Sequence, residues 1–311
     1  MSASLRHTLR NAAQTGGLVL GMAGLMALAG WLLAGRPGVW WAGGLTALAL
    51  VLTPRLSPYF VLRLYSARPL ARIEAPALHA MAEAMARRAG LDRVPHLFYV
   101  PSPMANAFTV GGRQGAAIAL TDGLLRSLNT RELAGVLAHE TAHVLHGDLA
   151  LMNLADVISR VTAALSMTGQ FLLVLNLPLL LLGAAPVSWL LVLVLVFAPG
   201  VSSLLQLALS RTREFSADAE AARLTGDPLG LASALGKMEM AEAGFWSRLL
   251  LPGRRSPHPS LLRTHPVHAE RMARLKELAE DQARHLSPEP FTLPFPPPRQ
   301  SPRWRVGGFW Y

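Results

Sequence analysis

Fifty consecutive residues, Val161 to Ser210, carry no charged side chain. A helix needs roughly 20 apolar residues to cross a bilayer, and inside the bilayer every backbone polar group must be satisfied within the chain. The run therefore has room for two helical spans, and Gly183-Ala184-Ala185-Pro186 supplies turn chemistry between them. Asn11 to Gly35 is uncharged for 25 residues and Pro37 to Pro54 for 18. The pattern predicts four transmembrane helices in two hairpins. The second span is the shortest and carries Gly43, Gly44 and Pro54. Composition agrees: 51% of residues are hydrophobic, 15% are charged and the mean hydropathy is +0.32, too apolar for an ordinary soluble enzyme.

The basic residues flank these runs. Arg6 and Arg10 precede the first, and Arg55, Arg63, Arg68 and Arg72 follow the second. Arg160 precedes the third, Arg211 and Arg213 follow the fourth, and only Arg36 lies inside a hairpin turn. The positive-inside rule then puts both termini and the soluble segments on the cytoplasmic side. Trp31, Trp40 and Trp41 suit an interfacial belt at the opposite face. A second hydrophobic segment follows the first almost at once, which favours a retained anchor over a cleaved signal peptide. The net charge of +10 does not point to nucleic acid, because no Lys/Arg-rich block with interleaved aromatics is present. Cysteine is absent, so any metal would be held by His and carboxylate.

The chemistry concentrates in His139-Glu140-Thr141-Ala142-His143, inside Thr130 to Met152, a stretch of helix formers interrupted only by Gly135 and Gly147. Four residues make slightly more than one helical turn, so both imidazoles leave one face. Two neutral ring nitrogens there can take adjacent corners of a zinc tetrahedron at about 2.0–2.1 Å. Glu140 is not needed as a ligand and can deprotonate an attacking water whose pKa the metal lowers. The same spacing also suits a surface or core histidine pair.

Glu74–Arg160 and Arg211–Leu286 read as the soluble parts. Ala75 to Gly90 has the apolar spacing of an amphipathic helix, and His96–Val100, Ala105–Val110 and Ala116–Leu120 read as short strands. Helices are expected over Gly200–Leu224 and Pro266–Arg284. The 287–311 segment is Pro-rich and reads as a disordered tail. The segments are thus 1–73, a hairpin with its linker; 74–160; 161–210, the second hairpin; 211–286; and the tail. Two histidines leave zinc short of a third protein ligand. Glu214 and Asp218 share a helix face, so one can bind metal while the other orients an imidazole. They also suit solvated charges complementing Arg211 and Arg213. His146 and Asp148 are rival ligands by spacing, but an acid five positions on along one continuous helix points away from the pair.

Val136 to Val144, followed by Ser210 to Asp218, resembles the HtpX family of membrane zinc metalloproteases, relatives of the CAAX prenyl proteases. Asn106 to Gly111 and Thr264-His265-Pro266 with Arg271 match further motifs in the family's order, and the resemblance covers roughly residues 1–280. It implies an α+β, mostly helical chain: four transmembrane helices in two hairpins plus a gluzincin-like zinc metalloprotease domain. It implies that His139, His143 and Glu214 bind one Zn2+, that Glu140 is the general base and that Asp218 is a carboxylate behind a ligand. His265 falls at a family histidine that binds substrate or the oxyanion, or else is a turn residue before Pro266. Asn106 opens an edge-strand motif to which a peptide substrate can add, or else is a turn residue. Phe215 stands where tyrosine is common and Thr141 where an apolar residue is usual.

The implied activity is endopeptidase cleavage of misfolded or membrane proteins at the cytoplasmic face of a bacterial inner membrane. The partners are then protein or peptide substrates and the lipid bilayer. The alternatives are a CAAX-type processing protease with a narrow substrate and a catalytically inactive membrane scaffold. The first would need a large intramembrane chamber, for which four spans are few. The second has no chemical need to keep His139, Glu140, His143 and Glu214 together.

Overall fold

The computed structural model describes residues 3–52, 58–175, 177–178, 189–249 and 268–285. Among these, the helices are α1 (Ala3–Leu52), α2 (Pro58–Leu64), α3 (Pro76–Arg88), α4 (Asp122–Ser127) and α5 (Thr130–His146). They continue with α6 (Asp148–Leu175), α7 (Trp189–Thr225), α8 (Pro228–Leu249) and α9 (His268–His285). The strands are β1 (Arg68–Pro69), β2 (His96–Val100), β3 (Ala107–Val110) and β4 (Ala117–Thr121). The architecture is mostly helical α+β. The chain divides into two compact units, Met1–Leu56 with Ala150–Thr212 and Ser57–Leu149 with Arg213–Tyr311.

Ala13–Ala49, Asp148–Val174 and Leu190–Thr225 are three helices long and apolar enough to cross a membrane, and their Ala13–Ala49, Ala150–Val174 and Leu190–Thr212 parts lie in the first unit. Helix α1 is not straight: Ala34 and Gly35 leave helical dihedrals, and Gly35 has φ 63°. Met22, Met26, Ala42, Ile158 and Leu209 form this unit's main apolar cluster, while Leu20, Phe171, Phe197 and Leu204 are exposed. The turn expected at Gly183–Pro186 lies outside the described residues.

The second unit is built on a four-stranded sheet in the order β1-β2-β4-β3. Strand β2 runs parallel to β4, and β3 pairs antiparallel with β4, Phe108 opposite Ala119. That order puts β2 and β4 inside the sheet and β3 at an edge, and every residue of β4 is buried. Three strands fall where the sequence pattern predicts them. Strand β1 does not, because two residues that include a proline carry no alternation to read. Helix α8 also lacks an expected boundary, although Asp227 caps it through Gly230 N–H at 3.0 Å and Pro228 occupies its first turn.

Helix α5 opens on a capping box, in which Asn129 accepts from Glu132 N–H and Glu132 accepts from Asn129 N–H. Glu132 is buried and also accepts from Ser233 Oγ at 2.7 Å and Lys237 Nζ at 2.8 Å, tying the start of α5 to α8. The two glycines of this stretch have different reasons. A Cβ on Gly135 would lie 2.9 Å from Leu231 N and 3.0 Å from Leu231 Cα, so that glycine lets α5 and α8 approach. Gly135→Ala is therefore expected to lose about 1–3 kcal/mol by overpacking, outweighing the roughly 1 kcal/mol that alanine gains in helix propensity. Thermal unfolding of the detergent-solubilised protein reads the sign directly. Gly147 is the left-handed C-cap, φ 67° and ψ 28°, which ends α5 and turns the chain into α6.

Candidate metal centre

His139 and His143 leave α5 one turn apart, with their Nε2 atoms separated by 3.1 Å. Glu214 comes from α7: its Oε2 lies 3.3 Å from His139 Nε2 and its Oε1 3.7 Å from His143 Nε2. Ligand atoms about 2.0–2.1 Å from one tetrahedral ion stand about 3.3–3.4 Å apart. The observed separations bracket that value, so this donor set fits one small divalent cation. His139 and Glu214 are buried and His143 is partly so.

A carboxylate and a guanidinium stand behind His139. Asp218, one helical turn beyond Glu214, lies with Oδ1 3.0 Å from His139 Nδ1. Arg271, from α9, is buried and forks onto Asp218 at 2.7 and 2.6 Å. Its Nη1 also lies 2.9 Å from Glu214 Oε2. Burial pushes the Asp218 carboxyl up, but the Arg271 and His139 contacts outweigh it and hold it below the usual range. For His139, burial and the Arg271 charge push down; hydrogen bonds to Asp218 and Glu214 prevail and raise it to about 9. The Glu214 and Asp218 carboxylates beside His139 supply negative charge that favours a cation at this site.

Asp148 corrects an expectation. On one continuous helix it would point away from the imidazoles; instead Gly147 breaks the helix, and Asp148 Oδ2 lies 2.8 Å from His143 Nδ1. Its other oxygen, Oδ1, accepts from Arg213. Asp148 is therefore a partner of His143 and lies outside the group whose donor atoms converge.

Glu140 is buried beside the pair and lies outside the ligand group. Thr109, on edge strand β3, donates its hydroxyl to Glu140 Oε2 at 2.6 Å. Strand alternation puts Ala107 and Thr109 on one face, a signal in the sequence that was available for finding Thr109. An apolar pocket formed by Ala107, Val136, Leu231, Leu235 and Met238 adjoins His139 and Glu140. Asn106 is buried just before β3, its main-chain N–H and C=O both bonded to the Thr121 hydroxyl at 2.9 and 2.8 Å. His265 lies outside the described residues. The two departures are absorbed locally: Thr141 bonds its own helix at Leu137 O, 2.7 Å, and Arg274 stacks on the Phe215 ring at 3.6 Å.

Residues 72–279 match Peptidase family M48. This chain belongs to that family. The M48 assignment makes it a metalloprotease, and its long apolar helices make it a membrane one. Similar proteins include a Protease HtpX homolog of Pyrococcus abyssi, 34% identical over 86% of this chain and 95% of that protein. Another, from Nostoc punctiforme, is 36% identical over 74% of this chain and 80% of its own length. The solved structure of S. mikatae Ste24p aligns with a TM-score of 0.47 and 21% identity, covering 88% of this chain and 65% of that one. Within the M48 region, Arg271 and Asp148 are charged residues that the sequence reading left without a role. Each meets its partner only through the fold, 53 positions away for Arg271 with Asp218 and 65 for Arg213 with Asp148.

Proposed function

We propose that the chain is a zinc endopeptidase that cleaves misfolded or membrane proteins at the cytoplasmic face of a bacterial inner membrane, in membrane-protein quality control. The observation that carries the chemistry is the near-tetrahedral spacing of His139, His143 and Glu214 with Glu140 beside them outside the ligand set. Two imidazoles and one carboxylate make up a common catalytic zinc set with a position left for a reactant. Zinc held by His139, His143 and Glu214 would supply Lewis acidity to a scissile carbonyl and would lower the pKa of an attacking water. Glu140 takes the water's proton and passes it to the leaving amine. Thr109 keeps the carboxylate aimed. Asp218 accepts from His139 Nδ1 and so turns Nε2 toward the metal.

Substrate would lie along β3. An edge strand offers main-chain groups to an added peptide strand, and the tether from Thr109 to Glu140 sets that edge next to the base. Anchoring of Asn106 at Thr121 would hold the start of the edge, and His265 would bind substrate or the oxyanion.

Four spans are supported by length: Ala13–Ala49 is 37 residues, about 55 Å as one helix against a hydrocarbon core of about 30 Å. The bend at Ala34–Gly35 divides it. Gly30 and Gly38 oppose each other across the bend, and a Cβ on Gly30 would lie 2.6 Å from Gly38 O. Trp31, Trp40 and Trp41 are exposed beside it, as an interfacial belt requires. With the arginines at the other ends of the spans, this favours cytoplasmic termini and a cytoplasmic site.

The test is purification in detergent without chelator, followed by zinc analysis and cleavage of unfolded casein. One zinc per chain is expected, with cleavage lost to a chelator and restored by added zinc. A folded protein that binds no metal and cleaves nothing would sink the proposal in favour of a scaffold.

A further inference from the structure

We infer that Asp148 and Arg213 form a clasp that positions both His143 and Glu214 for the metal, a positioning role distinct from that of Asp218. The inference rests on the metal reading above.

Asp148 and Arg213 are 65 positions apart, and the residues between them include the whole charge-free run Val161–Ser210. Asp148 is the first residue of α6, and Arg213 immediately precedes Glu214 on α7. The clasp therefore closes a long excursion of the chain at the point where Glu214 is delivered. Closing so long a loop costs entropy that local helix structure cannot recover, and the clasp is a direct contact that offsets it within the second unit.

The chemistry is directional. One oxygen of Asp148 lies 2.8 Å from His143 Nδ1, and a carboxylate only accepts, so Nδ1 carries the proton and Nε2, 3.1 Å from His139 Nε2 and 3.7 Å from Glu214 Oε1, keeps its lone pair. The other oxygen accepts from both Nε and Nη2 of Arg213, which fixes the carboxylate plane. Asp148 and Arg213 are largely buried, with side chains 4% and 14% exposed, so water competes little for these contacts. Adjacent helix residues project about 100° apart; Arg213 reaches Asp148 while Glu214 faces the imidazoles. The result parallels the pairing behind His139, where Asp218 is gripped by Arg271. Each candidate histidine ligand is thus backed by its own carboxylate and its own arginine.

The experiment measures zinc affinity by chelator competition in detergent at fixed pH for wild type, Asp148→Asn, Arg213→Met and the double variant. The apparent melting temperature of each metal-free protein is measured alongside. Asp148→Asn keeps the shape but lets the side chain present an amide, and zinc affinity is expected to fall about 10- to 100-fold. Arg213→Met is expected to weaken zinc about tenfold or more, and to add little once Asp148 is Asn, because it acts through that carboxylate. Arg213→Lys, which keeps the charge without the fork, should bind zinc with intermediate affinity and serves if Arg213→Met does not fold. Zinc affinity within twofold of wild type for a folded Asp148→Asn would overturn the clasp, as would fully multiplicative losses in the double variant. A change confined to the metal-free melting temperature would overturn it too. If wild type itself binds no zinc, the metal reading fails rather than the clasp.

Discussion

Glu140→Gln should leave zinc content at the wild-type level while casein cleavage falls by about 10²- to 10⁴-fold, the range expected when a positioned general base is removed. The geometry separates the two readouts. Glu140 is not among the three side chains whose donor atoms converge, so metal binding does not need its charge. Glutamine has nearly the same volume, and its amide oxygen can still accept from the Thr109 hydroxyl that now lies 2.6 Å from Oε2. Packing around this buried position is thereby kept, and only the capacity to take a proton is lost. Metal analysis and cleavage rates on the same preparation test it. A variant that loses metal would make Glu140 a ligand or a fold determinant. One that keeps more than about a tenth of the activity would move the base elsewhere.

Parts of this site were legible in the sequence because they are local. His139 and His143 share a face through helical periodicity alone, and β2, β3 and β4 lie where apolar runs between turn residues put them. Glu214 was different: its spacing from Asp218 is local, but its meeting with the histidines spans a 50-residue charge-free run, and only a resemblance across ordered motifs linked the two. Asp148 was misjudged because helix geometry was carried through Gly147, whose left-handed φ of 67° changes the direction of everything after it. The glycine itself was the available signal, since glycine is the common residue at a left-handed helix end. Arg271 had a place in a motif but no local signal of role, because burying a guanidinium makes sense only beside the acids it neutralises.

That neutralisation sets the second large effect. Arg271→Met should destabilise the metal-free protein by about 3–5 kcal/mol, the cost typical of leaving buried charges without their partner. Arg271 is 1% exposed. Its charge is held by Asp218, Glu214 and Glu140, so removing it leaves three neighbouring carboxylates with less positive charge among them. Methionine keeps much of the volume and the flexible stem, which limits the change mainly to charge and hydrogen bonds. A divalent cation between His139, His143 and Glu214 offsets the same carboxylates, so the metal-loaded variant should lose much less than the metal-free one. Melting curves in detergent, with chelator and with excess zinc, then separate further for Arg271→Met than for wild type. Mass action alone also separates such curves, so the comparison is between the two proteins at one zinc concentration. Equal losses with and without metal would mean that the guanidinium acts by packing. A larger loss in zinc would mean that Arg271 holds Glu214 for the metal more than it neutralises the acids around it.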